Sequence, residues 1–407
     1  MVPMHNRAWS GGLSPLAQQP VGQQCGLPRL RNLHLWFPPY MKTVLARSLR
    51  PATSGSRHIL FCFVDHFEPF DARRTMAQND QIVNEWLKRY PELCARHVDS
   101  DNVMPQHTWF YPGERYYPEY LEALCWLAQK RLGEIELHLH HDGDNEQSLR
   151  ALLELTKSNF ARHGALTTAG PISRVAYAFI HGNSALCNSR RGLFCGVNDE
   201  LRILHETGCF ADFSFPTYPS ESQPRKVNSM YYASSSPNTS RGFDHGRDIK
   251  VGKKERGHLL LIQGPLALTW RSRRYGILPR VDVGDITGHN PPTPARVQTW
   301  VRQRIGVKGR PEWVFIKVSC HGAQAADMEA LLGEPADNMY RELERLFRER
   351  PGYQLHYVTA REMYNIAKAA EAGCADNPNL YRDYIIPPYK NRSEYKVIKP
   401  CVELQES

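Results

Sequence analysis

The chemistry-bearing residues of this chain are concentrated in a few short runs. Residues 134–140 read EIELHLH, and His141, Asp142 and Asp144 follow directly. The run alternates polar and apolar residues with the period of a strand. His138 and His140 then share one face with Glu136, while Leu137 and Leu139 point the other way. Two imidazoles on one face suit a divalent metal such as zinc. The third ligand stays open between Asp65, His66 and Asp142. The competing account is a polar layer of hydrogen-bonded histidines. A second acid and histidine cluster, Asp65-His66-Phe67-Glu68, ends another apolar run and favours the metal.

Other residues fit roles around such a metal. Asp65, a carboxylate at a strand end, is a general-base candidate. Its alternative is a cap for the next helix. His321, in Val318-Ser319-Cys320-His321-Gly322, is placed to protonate a leaving group, with Gly322 leaving room beside it. Its alternative is a satisfied core histidine. Nothing marks Cys320 as an activated nucleophile. His141, His181, Asn183 and Glu114 are candidate substrate-binding groups. Trp109, Tyr111, Tyr116 and Tyr117 suit stacking on a sugar ring, with core packing as the equal alternative for each.

These residues need elements to position them. Apolar runs at 58–64 (HILFCFV), 107–111 (HTWFY), 134–140, 174–180 (RVAYAFI), 211–215, 258–263 (HLLLIQ), 312–319 (EWVFIKVS) and 353–358 read as strands. Helical spacing lies between most of them, at 81–97, 118–131, 149–160, 199–207, 337–350 and 359–370. Thr293 and Pro294 mark a helix start. Such alternation predicts an α/β fold, a distorted (β/α) barrel of about seven parallel strands. In such barrels the chemistry sits at the C-terminal strand ends, where these acids and histidines fall. No glycine-rich phosphate cradle follows any strand. Residues 218–257, rich in Ser, Pro, Arg and Lys, read as a long excursion or flap.

Composition excludes several classes. The chain of 407 residues carries 51 Lys and Arg against 42 Asp and Glu, a net charge of +9. Residues 1–57 hold seven of those bases and no acid, which leaves the other 350 residues at +2. That balance argues against a nucleic-acid partner. No apolar run reaches about 18 residues, so no membrane span is predicted. Pro3, Pro15 and Pro20 interrupt any secretory signal. None of the ten cysteines forms a C-x-x-C pair, which points to a reducing, cytoplasmic compartment. The expected organisation is a disordered basic extension at 1–57, a barrel at 58–370 and a C-terminal tail at 371–407 packed on it.

The order of these segments resembles the polysaccharide deacetylase superfamily with NodB homology, over about residues 57–370. Phe63-Val64-Asp65-His66 stands where that family has Thr-Phe-Asp-Asp, and Thr108-Trp109-Phe110 resembles its Thr-Phe-Phe. His138 to His141 stands in the region of its His-rich metal motif. His66 replaces the second Asp, and His-x-x-x-His is missing: Asp142 and Asp144 stand four residues beyond His138 and His140. The family's Arg-Pro motif is not evident either. The resemblance implies a divergent, metal-dependent hydrolase that removes acetyl groups from a carbohydrate. Asp65 and His321 would be catalytic. His66, His138, His140 and Asp142 would hold a divalent metal, zinc being expected.

Two rivals remain. Amidohydrolases and phosphoesterases with two metals also use H-x-H on a barrel strand, usually the first. A catalytically silent barrel that binds glycan or a partner enzyme would tolerate His66 in place of an acid. A truncation starting at Met41 is expected to lose charge and keep fold and activity, as circular dichroism and turnover would show.

Overall fold

The computed structural model describes residues 32–49, 55–71, 73–168, 175–255, 257–274 and 277–389. Eight strands of four residues or more run in parallel ladders. They are β1 (Arg57–His66), β2 (His107–Pro112), β3 (Gly133–Leu139), β4 (Val175–His181), β5 (Cys209–Asp212), β6 (Leu259–Ile262), β7 (Trp313–Cys320) and β8 (Tyr353–Val358). The helices are α1 (Leu33–Ser48), α2 (Met76–Cys94), α3 (Pro118–Gln129), α4 (Glu146–Arg162), α5 (Glu200–Glu206), α6 (Pro294–Val301), α7 (Ala325–Leu332), α8 (Glu334–Phe347) and α9 (Ala360–Ala372).

The sheet runs β7-β1-β2-β3-β4-β5-β6. β7 pairs with β1 along 58–65, so β8 and β2 share the opposite edge: β8 takes residues 57–62 and β2 takes 63–66. Among the described residues no ladder joins β6 to β7, so the barrel is not closed by strand pairing. Lys317 of β7 instead reaches the segment after β5, its Nζ donating to the carbonyls of Phe213 and Phe215 at 2.7 and 2.6 Å. The expected flap at 218–257 instead lengthens the sheet. Its Met230–Ala233 pairs antiparallel with β6, and Arg247–Asp248 pairs with that segment in turn.

Period-two alternation sorts the side chains into two cores. Phe61, Phe63, Trp109, Tyr111, Ile135, Leu137 and Leu139 pack toward α2, α3, α4 and α8. Leu60, Cys62, Val64, Phe110, Ala178 and Ile180 pack on the other face, against Ala360, Met363, Ile366 and Ala367 of α9. The Ala360 N–H donates to Thr108 Oγ1 at the start of β2, so α9 covers the N-terminal end of that face. The C-terminal strand ends are left for chemistry.

Among the described residues, side-chain caps set four of the nine α-helix starts. Thr75 with Gln78, Asn145 with Ser148 and Thr359 with Glu362 form reciprocal caps. Thr293 accepts from the Arg296 N–H ahead of Pro294, as its sequence predicts. The described cysteines are unpaired. No helix among the described residues is long and apolar enough to cross a membrane.

The leader departs from expectation. Residues 1–31 lie outside the described residues, but Leu33–Ser48, read as disordered, is a helix. Pro38 and Pro39 remove two helical donors, which is why the sequence reads as broken. Packing offsets that loss. Trp36 and Tyr40 are buried with Val227 and Leu266, and Trp36 meets Tyr218 edge-on. Tyr40 Oη accepts from the Leu268 N–H at 3.2 Å. A chain starting at Met41 therefore loses half a docked helix. We expect its urea midpoint to fall, and W36A alone to cost about 3 kcal/mol. Unchanged midpoints in both variants would place α1 outside the folded unit.

Candidate metal centre

Strand parity divides the residues at the end of β1. Asp65 follows Phe63 to the helix-facing side and is fully buried. Its Oδ2 lies 2.9 Å from His107 Nε2, and its Oδ1 accepts the Gly322 N–H at 2.6 Å. The His107 ring stacks on Phe63. A Cβ at residue 322 would overlap the Asp65 carboxylate, so glycine is required there. Both Asp65 oxygens are thus committed to tying β1, β2 and the turn after β7 together. The residue read from sequence as a general base is thus hydrogen-bonded at both oxygens within the fold. Beside them, burial and the Asp65 charge push the Cys320 thiol well up.

His66 points to the other face and joins a different group. His66, Glu68 and His321 place ligand atoms within 4.8 Å of one another, and so do Glu68, His138 and His140. Glu68 belongs to both sets. The His66 ring stacks on His321 and meets His138 edge-on, at centroid separations of 4.7 and 4.9 Å. His138 Nδ1–H donates to the Ile180 carbonyl at 2.9 Å, and its Nε2 lies 2.9 Å from Glu68 Oε1. His140 Nδ1 lies 2.8 Å from Glu114 Oε1, and its Nε2 lies 3.6 Å from Glu68 Oε1.

This arrangement answers whether a cation fits. A carbonyl only accepts, so His138 Nδ1 carries a hydrogen and its Nε2 is turned toward a carboxylate. Two acceptors facing each other need a proton or a cation between them. His140, between two carboxylates, poses the same demand. Imidazoles anchored at Nδ1 by a carbonyl or carboxylate are oriented as metal ligands are. The donor set of His138, His140 and Glu68 therefore fits a divalent metal. Without one, protons fill the role. Burial lowers His140, but Glu68 and Glu114 outweigh it and raise its pKa to about 9. Burial raises Glu68, but His140 and His138 hold it well below the usual carboxylate range. Burial, then His321 and His138, press His66 far down, so it is neutral.

The remaining predicted residues scatter. Glu114 reaches the group through His140. Trp109 is buried on the helix-facing side among Trp86, Tyr90 and His107, away from any rim. Asp142 is exposed, and its Oδ1 accepts the Phe194 N–H at 2.7 Å, so it caps a loop outside the ligand sets. The Asn183 carbonyl accepts from Arg190 Nη1 at 2.9 Å. His141 and His181 turn to a separate buried group with Glu200 and Cys195. Glu68 and His107 are the residues that sequence spacing left without a role. Glu68 stands two beyond His66 in a turn, where no strand period fixes its direction.

No family model matches the chain, and no curated protein does. Among solved structures it is similar to a protein from Parabacteroides distasonis described as a "putative glycoside hydrolase/deacetylase". The two are 10% identical, with 78% of this chain and 72% of that one covered and a TM-score of 0.36. A likeness that weak carries no argument about activity.

Asp65→Ala should cost about 3–5 kcal/mol, because it strands a buried histidine and a buried N–H. Urea unfolding measures this. A normal midpoint combined with lost turnover would return Asp65 to the chemistry.

Proposed function

We propose that this chain is a metal-dependent hydrolase of the deacetylase type, removing acetyl groups from a carbohydrate. The observation that carries the reading is the pair of Nδ1-anchored imidazoles, His138 and His140, aimed at Glu68 beside the C-terminal strand ends. The segment order shared with polysaccharide deacetylases supports it. A divalent metal held by His138, His140 and Glu68 would supply Lewis acidity toward an acyl carbonyl and lower the pKa of water.

The chain's own residues supply the rest. Glu114 fixes the His140 ring. His66 and the stacked His321 lie beside the ligand set, and His321 would give a proton to the leaving nitrogen or oxygen. Tyr117, stacked on Phe70 and partly exposed three residues beyond Glu114, offers a face to a sugar ring. The described cysteines, all unpaired, are in keeping with a reducing, cytoplasmic compartment.

One observation favours a second reading. Glu68 belongs to two three-residue sets, as a carboxylate bridging two metals does in amidohydrolase-type centres. Metal analysis of the H138A and E68A variants decides between them. One equivalent lost in both supports the mononuclear deacetylase. Two equivalents lost in E68A support the dinuclear rival.

Acetate release from N- and O-acetylated oligosaccharides tests the activity. We expect release by the metal-loaded chain and at least a hundredfold loss in H138A, in line with the usual weight of such groups. No release from either substrate class by metal-loaded protein would end the deacetylase reading.

A further inference from the structure

The loop after β3 and the end of β4 hold a second group of ligand-type side chains that the proposed hydrolase does not use. His141, His181, Cys195 and Glu200 place one ligand atom each within 4.8 Å of one another, and all four residues are buried. His141 Nε2 lies 3.2 Å and His181 Nε2 lies 3.4 Å from Glu200 Oε1. Cys195 Sγ lies 3.5 Å from Glu200 Oε2. We infer that these four residues form a closed zinc site that holds the structure together, distinct from the Glu68 group.

Four features support this, each on a different ligand. The His181 ring is 1% exposed, its Nδ1 bonds the Gly182 carbonyl, and its buried Nε2 makes no hydrogen bond. A neutral His181 therefore directs an unused lone pair into the group. His141 has Asp144 Oδ2 at 3.2 Å behind its Nδ1, a carboxylate placed to orient a metal-bound ring. Cys195 Sγ accepts two backbone N–H groups, from Asn188 and Val197, each at 3.4 Å. The same sulfur lies 3.4 Å from the Val197 carbonyl, so backbone groups hold it in place on several sides. Glu200 Oε2 accepts the Cys187 N–H at 2.6 Å, which leaves Oε1 facing the histidines.

Charge and chemistry select the ion. Two anions and two neutral imidazoles around a dication sum to zero, which a buried site tolerates. One sulfur, two nitrogens and one oxygen select zinc over magnesium or calcium. Four protein ligands leave no open position, the mark of a structural site. A simple ion pair of His141 with Glu200 would account for neither the unpartnered His181 nitrogen nor the N–H groups aimed at sulfur.

The chain between the ligands needs such a tether. Asn183, Ser184, Cys187, Asn188, Arg191 and Phe194 all have φ between 51 and 62°, a costly left-handed backbone for non-glycine residues. The site also reaches the functional group. Gly182, next to His181, lies against the His140 ring with no room for a Cβ.

The test uses the full chain, stripped by chelator and reloaded with zinc or cobalt(II) alone. We expect a sulfur-to-cobalt charge-transfer absorption that persists in the H138A/H140A double variant and vanishes in C195S. We also expect one equivalent of zinc to survive in H138A/H140A and to be lost in C195S. D144A should weaken zinc binding about 10–100-fold. Should C195S fail to fold, the cobalt spectrum of the unaltered chain still decides. No thiolate band there, or a band that persists in a folded C195S, overturns the inference. Loss of metal in C195S alone, with none lost in H138A/H140A, would instead leave this site standing and remove the proposed hydrolase centre.

Discussion

The polar column along β3 constrains everything around it. Glu134, Glu136, His138 and His140 succeed one another on the face opposite α2, α3 and α4, where an unpaired polar group would cost several kcal/mol. Each is answered by a partner from elsewhere in the chain. Glu134 accepts from Arg361 Nη2 of α9 at 2.8 Å and from Thr359 Oγ1 at 2.6 Å. Glu136 accepts from the Ala178 N–H at 2.6 Å and from the Tyr389 hydroxyl. Burial raises Glu136 to about 8, so near neutral pH it is largely protonated and its charge is not buried there. His138 uses the Ile180 carbonyl and His140 uses Glu114. The column thereby sets where α9 lies, which β4 groups face β3, and why the chain folds back at residue 389.

This explains what was legible. The alternation EIELHLH is a local property, so the strand, its two faces and the shared direction of His138 and His140 follow from sequence alone. The same rule, applied to consecutive residues, separates Asp65 from His66. A resemblance in segment order makes Asp65 the base and His66 a metal ligand of one centre, whereas strand parity turns the two side chains to opposite faces, Asp65 toward His107 and His66 toward His138 and His321. Glu68 and Glu200 were illegible for another reason. Both are set by turns and long-range packing, and their partners lie 70 and 59 residues away. The helix at Leu33–Ser48 was hidden by two prolines whose cost is met only by contacts with Tyr218, Val227 and Leu266. The sheet's failure to close was likewise invisible, because local apolar runs say nothing of which edges meet.

The sequence His138-Leu139-His140-His141 serves two groups of opposite character. While the strand lasts, alternate residues share a face, and His138 with His140 open toward Glu68. Once the ladder ends after Leu139, that period no longer binds, and His141 turns to Glu200. One group is partly exposed, with His140 and Glu68 both about 30% accessible at the side chain. The other is sealed. Openness and closure are the features that separate reactive from structural metal sites, and here both arise within four residues.

The dependence between the two groups runs in one direction. Cys195 and Glu200 lie on a single short segment, and His181 ends β4, so the sealed group can form without Glu68, His66 or His321. The open group has no such independence. His140 shares its backbone with His141, and its ring rests on Gly182, which His181 holds from behind. A displacement of His181 must therefore move the wall against which His140 is oriented, whereas removal of the His140 ring leaves the His181 contacts intact. The sealed group thus belongs to the framework on which the candidate centre is built, with Glu114 and Gly182 together setting the His140 ring.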